Sequence, residues 1–147
     1  MNPTALDAAP VLDTRDGARW PVAGLFLEAL ARRDFTALAA CLHPDVRFRA
    51  LVPPGPFDLT GVTETMSCFR RWFDGDDHFE VVDASIGQVG TRLYLRWRVR
   101  MRSANDPDSW RVAEQHAFAG AGELIESLDL LCSGFHRESA APRCSIA

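Results

Sequence analysis

Apolar residues along the first third of the chain recur with the period of a helix and then switch to the period of a strand. From Pro21 to Arg33, Val22, Leu25, Phe26, Ala29 and Leu30 share one helical face, and Pro21 suits a first turn. A second, short helix is predicted over Phe35–Leu42, with Asp34 as its cap and Leu38, Ala39 and Leu42 as its apolar stripe. His43-Pro44-Asp45 ends it. Val46, Phe48 and Ala50 then alternate with Arg47 and Arg49, a half-buried strand stopped by Pro53-Pro54-Gly55-Pro56. A third helix runs from about Val62 to Phe73, with Met66, Phe69 and Phe73 on one side. After the turn Asp74–Asp77 come four β segments, Phe79–Ile86, Arg92–Arg102, Ser109–Phe118 and Glu123–Cys132, whose short, turn-rich links pair neighbours antiparallel.

Helices followed by a meander predict an α+β layer in which the helices cover one face of a curved sheet. Residues 1–18 are rich in Ala, Pro and Asp without a period and read as a flexible lead; 19–135 read as one domain and 136–147 as a tail.

Composition narrows the chemistry. All sixteen cationic residues are Arg, which excludes a lysine Schiff base and matches the bias of a GC-rich coding genome. A net charge of −4 provides no general attraction for nucleic acid. Cys41, Cys68, Cys132 and Cys144 lack the spacing of a zinc site or a redox pair, and His43, His78 and His136 are scattered, so no metal and no cofactor are expected. No long apolar run marks a signal peptide or membrane anchor, which points to a reducing cytoplasm with free thiols.

Several local motifs occur in a telling order. Asp34-Phe35-Thr36-Ala37-Leu38 precedes His43-Pro44-Asp45, Arg96-Trp97 lies in the third long β segment, and Gly122-Glu123-Leu124-Ile125-Glu126-Ser127-Leu128-Asp129 lies in the last. Over roughly Pro21 to Gly134 this order resembles the SnoaL-like branch of the nuclear-transport-factor-two-like superfamily. That resemblance implies a cone: a curved antiparallel or mixed sheet wrapped around about three N-terminal helices, of the cystatin-like α+β roll type, enclosing an apolar pocket. It also implies a range of activities, from isomerases, polyketide cyclases, dehydratases and epoxide hydrolases to members without catalysis.

Strand alternation assigns side chains to faces before any analogy. A symmetric closure of the loop Ser103–Asp108 pairs Arg102 with Ser109, and hence Trp97 with Glu114 and Leu95 with His116. Leu93, Leu95, Trp97, Val99, Val112, Glu114, His116 and Phe118 then share the face toward the helices, because burying the row Arg96, Arg98, Arg100 and Arg102 unpaired costs more than burying Leu, Trp and Val returns. A tight turn at Ala119–Gly122 adds Ile125, Ser127, Asp129 and Leu131 to the same face. Three ionisable groups, Glu114, His116 and Asp129, are thus expected inside an apolar cone, where burial separates pKa values and suits general acid/base work.

By the resemblance, Asp129 falls at the catalytic acid/base position of SnoaL-type cyclases, and Glu114 near the oxyanion-stabilising acid of ketosteroid isomerases. Two departures count against specific chemistries. Arg49 and Ala50 stand where those isomerases keep their base, and Trp97 and Val99 where limonene-type epoxide hydrolases need an Asp and an Arg. The leading reading is a cofactor-free cyclase, dehydratase or hydrolase for a small apolar molecule. In it Asp129 is the principal acid/base, His116 its partner and Glu114 an orienter, with Trp97, Phe48, Phe118, Val99, Ser127 and Trp72 shaping the pocket. Pro53–Phe57 and Trp72-Phe73 form its rim. The rival reading is a non-catalytic ligand-binding or dimerisation module of the same fold. In both, the outer arginine face pairs two copies of the chain, with Glu80, Asp83 and Glu126 as counter-ions.

Overall fold

The computed structural model describes residues 19–138, so the lead expected over 1–18 and the tail beyond 138 lie outside the described residues. Helices α1 (Arg19–Ala31) and α2 (Phe35–Ala40) meet at a sharp corner. Asp34 caps α2 by accepting a hydrogen bond from the Ala37 amide at 3.0 Å. Arg33, at the corner, adopts a left-handed backbone (φ 51°). Its guanidinium donates to the carbonyls of Phe73 (3.1 Å) and Asp76 (2.7 Å), which ties the corner to the end of the third helix. On α1 the buried residues are Val22, Ala23, Phe26, Ala29 and Leu30; Leu25, expected on that stripe, faces outward.

Strands β1 (Leu42–Val52) and β2 (Gly55–Thr60) form a hairpin, followed by α3 (Val62–Phe73) and by β3 (His78–Val89), β4 (Arg92–Arg102), β5 (Arg111–Ala121), β6 (Ile125–Cys132) and the two-residue β7 (His136–Arg137). Strand β2 was not predicted: the prolines end β1 as expected, but the chain turns at Gly55 (φ 138°), a backbone that favours glycine, and pairs back on itself. Strand β7 pairs with β5, so the domain runs two residues into the segment that composition marks as tail.

The seven strands make one open, curved, mixed sheet, six of them in the order β2-β1-β6-β5-β4-β3 and β7 off this path beside β5. All pairs are antiparallel except β1 with β6, which are parallel. Helix α1 packs against β3 and β4, and α3 against β1 and β2. The space between helices and sheet is filled with rings: Phe26, Phe48, Phe69, Phe73 and Trp97 are each at most 1% exposed. They touch edge to face or tilted, with centroids 5.5–6.1 Å apart across Phe26–Trp97, Phe48–Phe69 and Phe69–Phe73.

The β4–β5 register differs from the expected one by a single residue. Trp97 lies opposite Gln115, not Glu114, and Arg96 lies opposite His116. The loop between the strands holds two successive turns, closed by Asp106 N–H to Ser103 O and Ser109 N–H to Asp106 O. Trp110 remains outside the ladder because its ring lies under the guanidinium groups of Arg100 (3.8 Å) and Arg102 (4.8 Å). The core reinforces this choice. Trp97 is fully buried and its indole Nε1–H needs an acceptor, which Gln115 Oε1 supplies at 2.9 Å. Ala113, Ala117 and Ala119 sit on the same face as Gln115 and leave room for the large β4 side chains.

Replacing Gln115 with Ala strands a buried indole N–H and opens space beside it. We expect urea unfolding to show a loss of about 2–3 kcal/mol, against a change within about 0.5 kcal/mol for Glu126→Ala on the exposed side.

Candidate functional site

The one-residue shift moves every predicted acid/base group to the outer face of the sheet. Glu114 and His116 come to lie among the arginines of β4, and Asp129 lies beside Arg49 of β1. They do share one face, as expected, but it is not the face that packs on the helices. Ser127 and Phe118, expected in the pocket, are on the outer face too; Ile125 turns inward because the register shifts between Gly120 and Ala121.

Each group is already partnered. Asp129 accepts from Arg49 Nε at 2.7 Å and pairs with Arg92 Nη2 at 3.0 Å, and the Arg49 hydrogen bond holds its carboxyl below the usual carboxylate range. Arg92 also donates to Ser127 Oγ at 3.2 Å. For Glu114, partial burial pushes the carboxyl up, but hydrogen bonds from His116 and Arg98 outweigh it and leave the carboxyl lowered. His116 Nε2 is 2.6 Å from Glu114 Oε2, and since a carboxylate only accepts, that nitrogen carries the proton. His116 Nδ1 lies 2.5 Å from the Tyr94 hydroxyl. The result is a relay Tyr94–His116–Glu114–Arg98 lying open on the sheet. Phe118 extends it, its ring 5.2 Å from that of Tyr94.

Of the remaining predicted pocket residues, Trp97, Phe48 and Val99 are in the core as expected, with no accessible surface. They are packing, not the walls of a hollow. Among the described residues the buried polar side chains are Thr65 and Gln115, so the cone holds no buried carboxylate or imidazole.

Trp72 is the exception. It stands at the mouth, where the β1–β2 turn, the end of α3 and the segment after β6 meet, between two adjoining hollows of about 440 and 330 Å³. The first is walled by Val52, Phe57, Leu59 and Trp72, with Cys68 and Arg71 as its polar members; the second by Pro53, Trp72 and Phe135, with Cys132 and His136. The Cys132 sulfur accepts from Gln115 Nε2 (3.2 Å) and from the Gly134 amide (3.3 Å). Gly134 itself has φ 88° and no room for a Cβ, which would lie 2.8 Å from Pro53. Pro53–Phe57 and Trp72 line these two hollows, whereas Phe73, placed with Trp72 on the rim by the sequence reading, is fully buried. A larger depression of about 650 Å³ lies on the outer face beside Leu51, Phe57, Phe118, Asp129 and Leu131, but it is shallow and open.

Sequence reasoning missed Tyr94, Gln115, Cys68 and Arg71. Tyr94 had a readable signal, a single aromatic in the outward arginine row. The roles of the other three depend on tertiary contacts across the sheet and helix.

Comparison with known proteins agrees with this architecture. Residues 23–126 match the family model described as SnoaL-like domain. The chain is similar in structure to an LEH-like epoxide hydrolase from M. tuberculosis (TM-score 0.58, 19% identity, 77% of this chain and 80% of that one). It is also similar to a candidate polyketide cyclase from Xanthomonas campestris pv. campestris (TM-score 0.62, 21% identity, 81% and 92%). A third likeness is to a protein of ketosteroid isomerase-like fold from Catenulispora acidiphila DSM 44928 (TM-score 0.61, 14% identity, 76% and 85%). At these identities the likeness is one of fold. No curated protein sequence matches the chain.

The lowered carboxyls of Asp129 and Glu114 fix a sign for the pH dependence of folding. A carboxylate held below its unfolded value stabilises the fold above about pH 4 and loses that contribution as pH falls through the folded value. The urea midpoint should hold from pH 8 to about pH 5 and drop below about pH 4, and Asp129→Asn should flatten the acid limb.

Proposed function

The chain belongs to the SnoaL-like domain family, and from that premise we propose that it is a binding module, which holds a small apolar molecule at the mouth of the cone without acid/base catalysis by Glu114, His116 or Asp129. The observation that carries this reading is that the two mouth hollows contain none of Glu114, His116 and Asp129, which border open depressions on the outer sheet face. The cyclase, dehydratase or hydrolase reading needs a proton donor or acceptor facing the substrate, yet these three groups face away from the helices and are each engaged by arginine, histidine or tyrosine. A carboxylate held below its normal range is also a poor general acid at neutral pH. The mouth, by contrast, offers apolar walls with a few convergent polar groups, and each hollow falls within the roughly 300–1,000 Å³ of small-molecule sites.

The outer face supports a second role, pairing with another copy of the chain. Leu51 and Leu131 are register partners on neighbouring strands and are 51% and 48% exposed. Around them both signs of charge alternate and neutralise one another: Arg49 and Arg92 with Asp129, Arg96 with Asp83, Arg98 with Glu114, Arg100 with Glu80 and Glu138. Asp83 and Glu80 pair with arginines of their own chain. A surface of this kind is complementary to itself under a two-fold axis. Four strands about 4.8 Å apart and about ten residues long present roughly 600 Å², close to the roughly 800 Å² per partner of a specific interface.

A neutral apolar dye, N-phenyl-1-naphthylamine, should bind and fluoresce, and Trp72→Ala should abolish the signal while Asp129→Asn and Glu114→Gln leave it intact; loss in the latter pair alone rejects the mouth as the site. In sedimentation velocity the protein should run as a dimer and Leu131→Asp as a folded monomer, and a monomeric parent protein disposes of the pairing.

A further inference from the structure

Arg71 differs from the other arginines near the mouth. Arg33 is spent on the Phe73 and Asp76 carbonyls, and Arg70 lies over the Phe35 ring at 4.8 Å. Arg47 pairs with Asp58 at 3.3 Å, Arg49 with Asp129 and Arg111 with Asp76 at 2.7 Å. Arg71 has no hydrogen bond, ion pair or ring partner among the described residues, yet it lines the larger mouth hollow beside Phe57, Leu59 and Trp72. No carboxylate lines that hollow. Its only other ionisable member, Cys68, is buried, and burial pushes its thiol up to about 11 against the opposing field of Arg71. At neutral pH the hollow therefore contains a cation, apolar walls and no anion.

Resting on the reading of the mouth as a binding site, we propose that its ligand is an amphipathic carboxylic acid, with the apolar body against Trp72, Phe57 and Leu59 and the carboxylate on the Arg71 guanidinium. The planar fork of an arginine matches a carboxylate in a way that a point charge does not. The proximity of Cys68 adds no rival, since a thiol with a raised pKa remains neutral.

The test is isothermal titration of the full chain with decanoate and with 1-decanol, at concentrations below aggregation of either. Decanoate should bind about tenfold more tightly than the alcohol, the lower end of what a charge-assisted hydrogen bond contributes. Arg71→Gln, a change at an exposed position that leaves the thermal melt unaltered, should remove that tenfold advantage and leave the alcohol's affinity unchanged. Trp72→Ala should weaken both ligands. Equal binding of acid and alcohol, both lost in Trp72→Ala, overturns the acid and leaves the mouth standing. No binding of either ligand overturns both readings, and an Arg71→Gln protein that keeps the decanoate advantage overturns the role of Arg71.

Discussion

Trp97 sits at the centre of β4 with its ring wholly inside the molecule, and its N–H must find an acceptor without reaching water. Gln115, directly across the ladder, provides one. Once that pair is made, the parity of β5 is fixed: the alanines go inward to accommodate Trp97 and its neighbours, while Glu114, His116 and Phe118 go outward. Because β6 pairs with β5, the same parity sends Asp129 outward. One hydrogen bond inside the core thus decides which side of the sheet carries the ionisable groups.

The two faces consequently have different tasks. The inner face and the helices build a ring-filled core, and at its rim Trp72 is half-buried and the prolines of the β1–β2 turn approach the Gly134 backbone. The outer face assembles an ion-pair lattice. Arg49, Arg92, Arg96, Arg98 and Arg100 are rigid forks that take one or two carboxylates each. The exposed leucine pair interrupts this lattice where no charge is needed. Such a division keeps the chemistry of recognition at the rim separate from the electrostatics of the sheet.

Much of this was legible in the sequence. The three helices, the long strands, the order of the sheet's antiparallel half and the inward set of β4 all follow from apolar periodicity, and the arginine row could face only outward. Two of the departures have a common origin. Strand β2 and the β4–β5 register both depend on turns, and a turn's length in residues can be counted only once it is known which residues leave the ladder. Trp110 reads as a strand residue by propensity, but its stacking under Arg100 and Arg102 withdraws it into the loop and shifts all that follows by one. The signal for the true register was nevertheless present in composition: three alanines and a glutamine, at every second position, suit the space opposite a tryptophan better than a glutamate and a histidine do. Arg71 becomes distinctive only when the partners of its neighbours are known.

The parallel pairing of β1 with β6 has a consequence for how the chain is made. Arg49 and Asp129, joined in the finished sheet, are 80 residues apart, and no intervening strand can substitute for β6 at that edge. During synthesis β1 emerges early and remains with one open edge, lined by alternating Phe48 and Ala50, until nearly the whole domain has left the ribosome. Folding is therefore gated by the arrival of the last long strand, a topology with high sequence separation and correspondingly slow closure. A chain truncated shortly before Ile125 lacks β6 and leaves this edge of β1 unpaired.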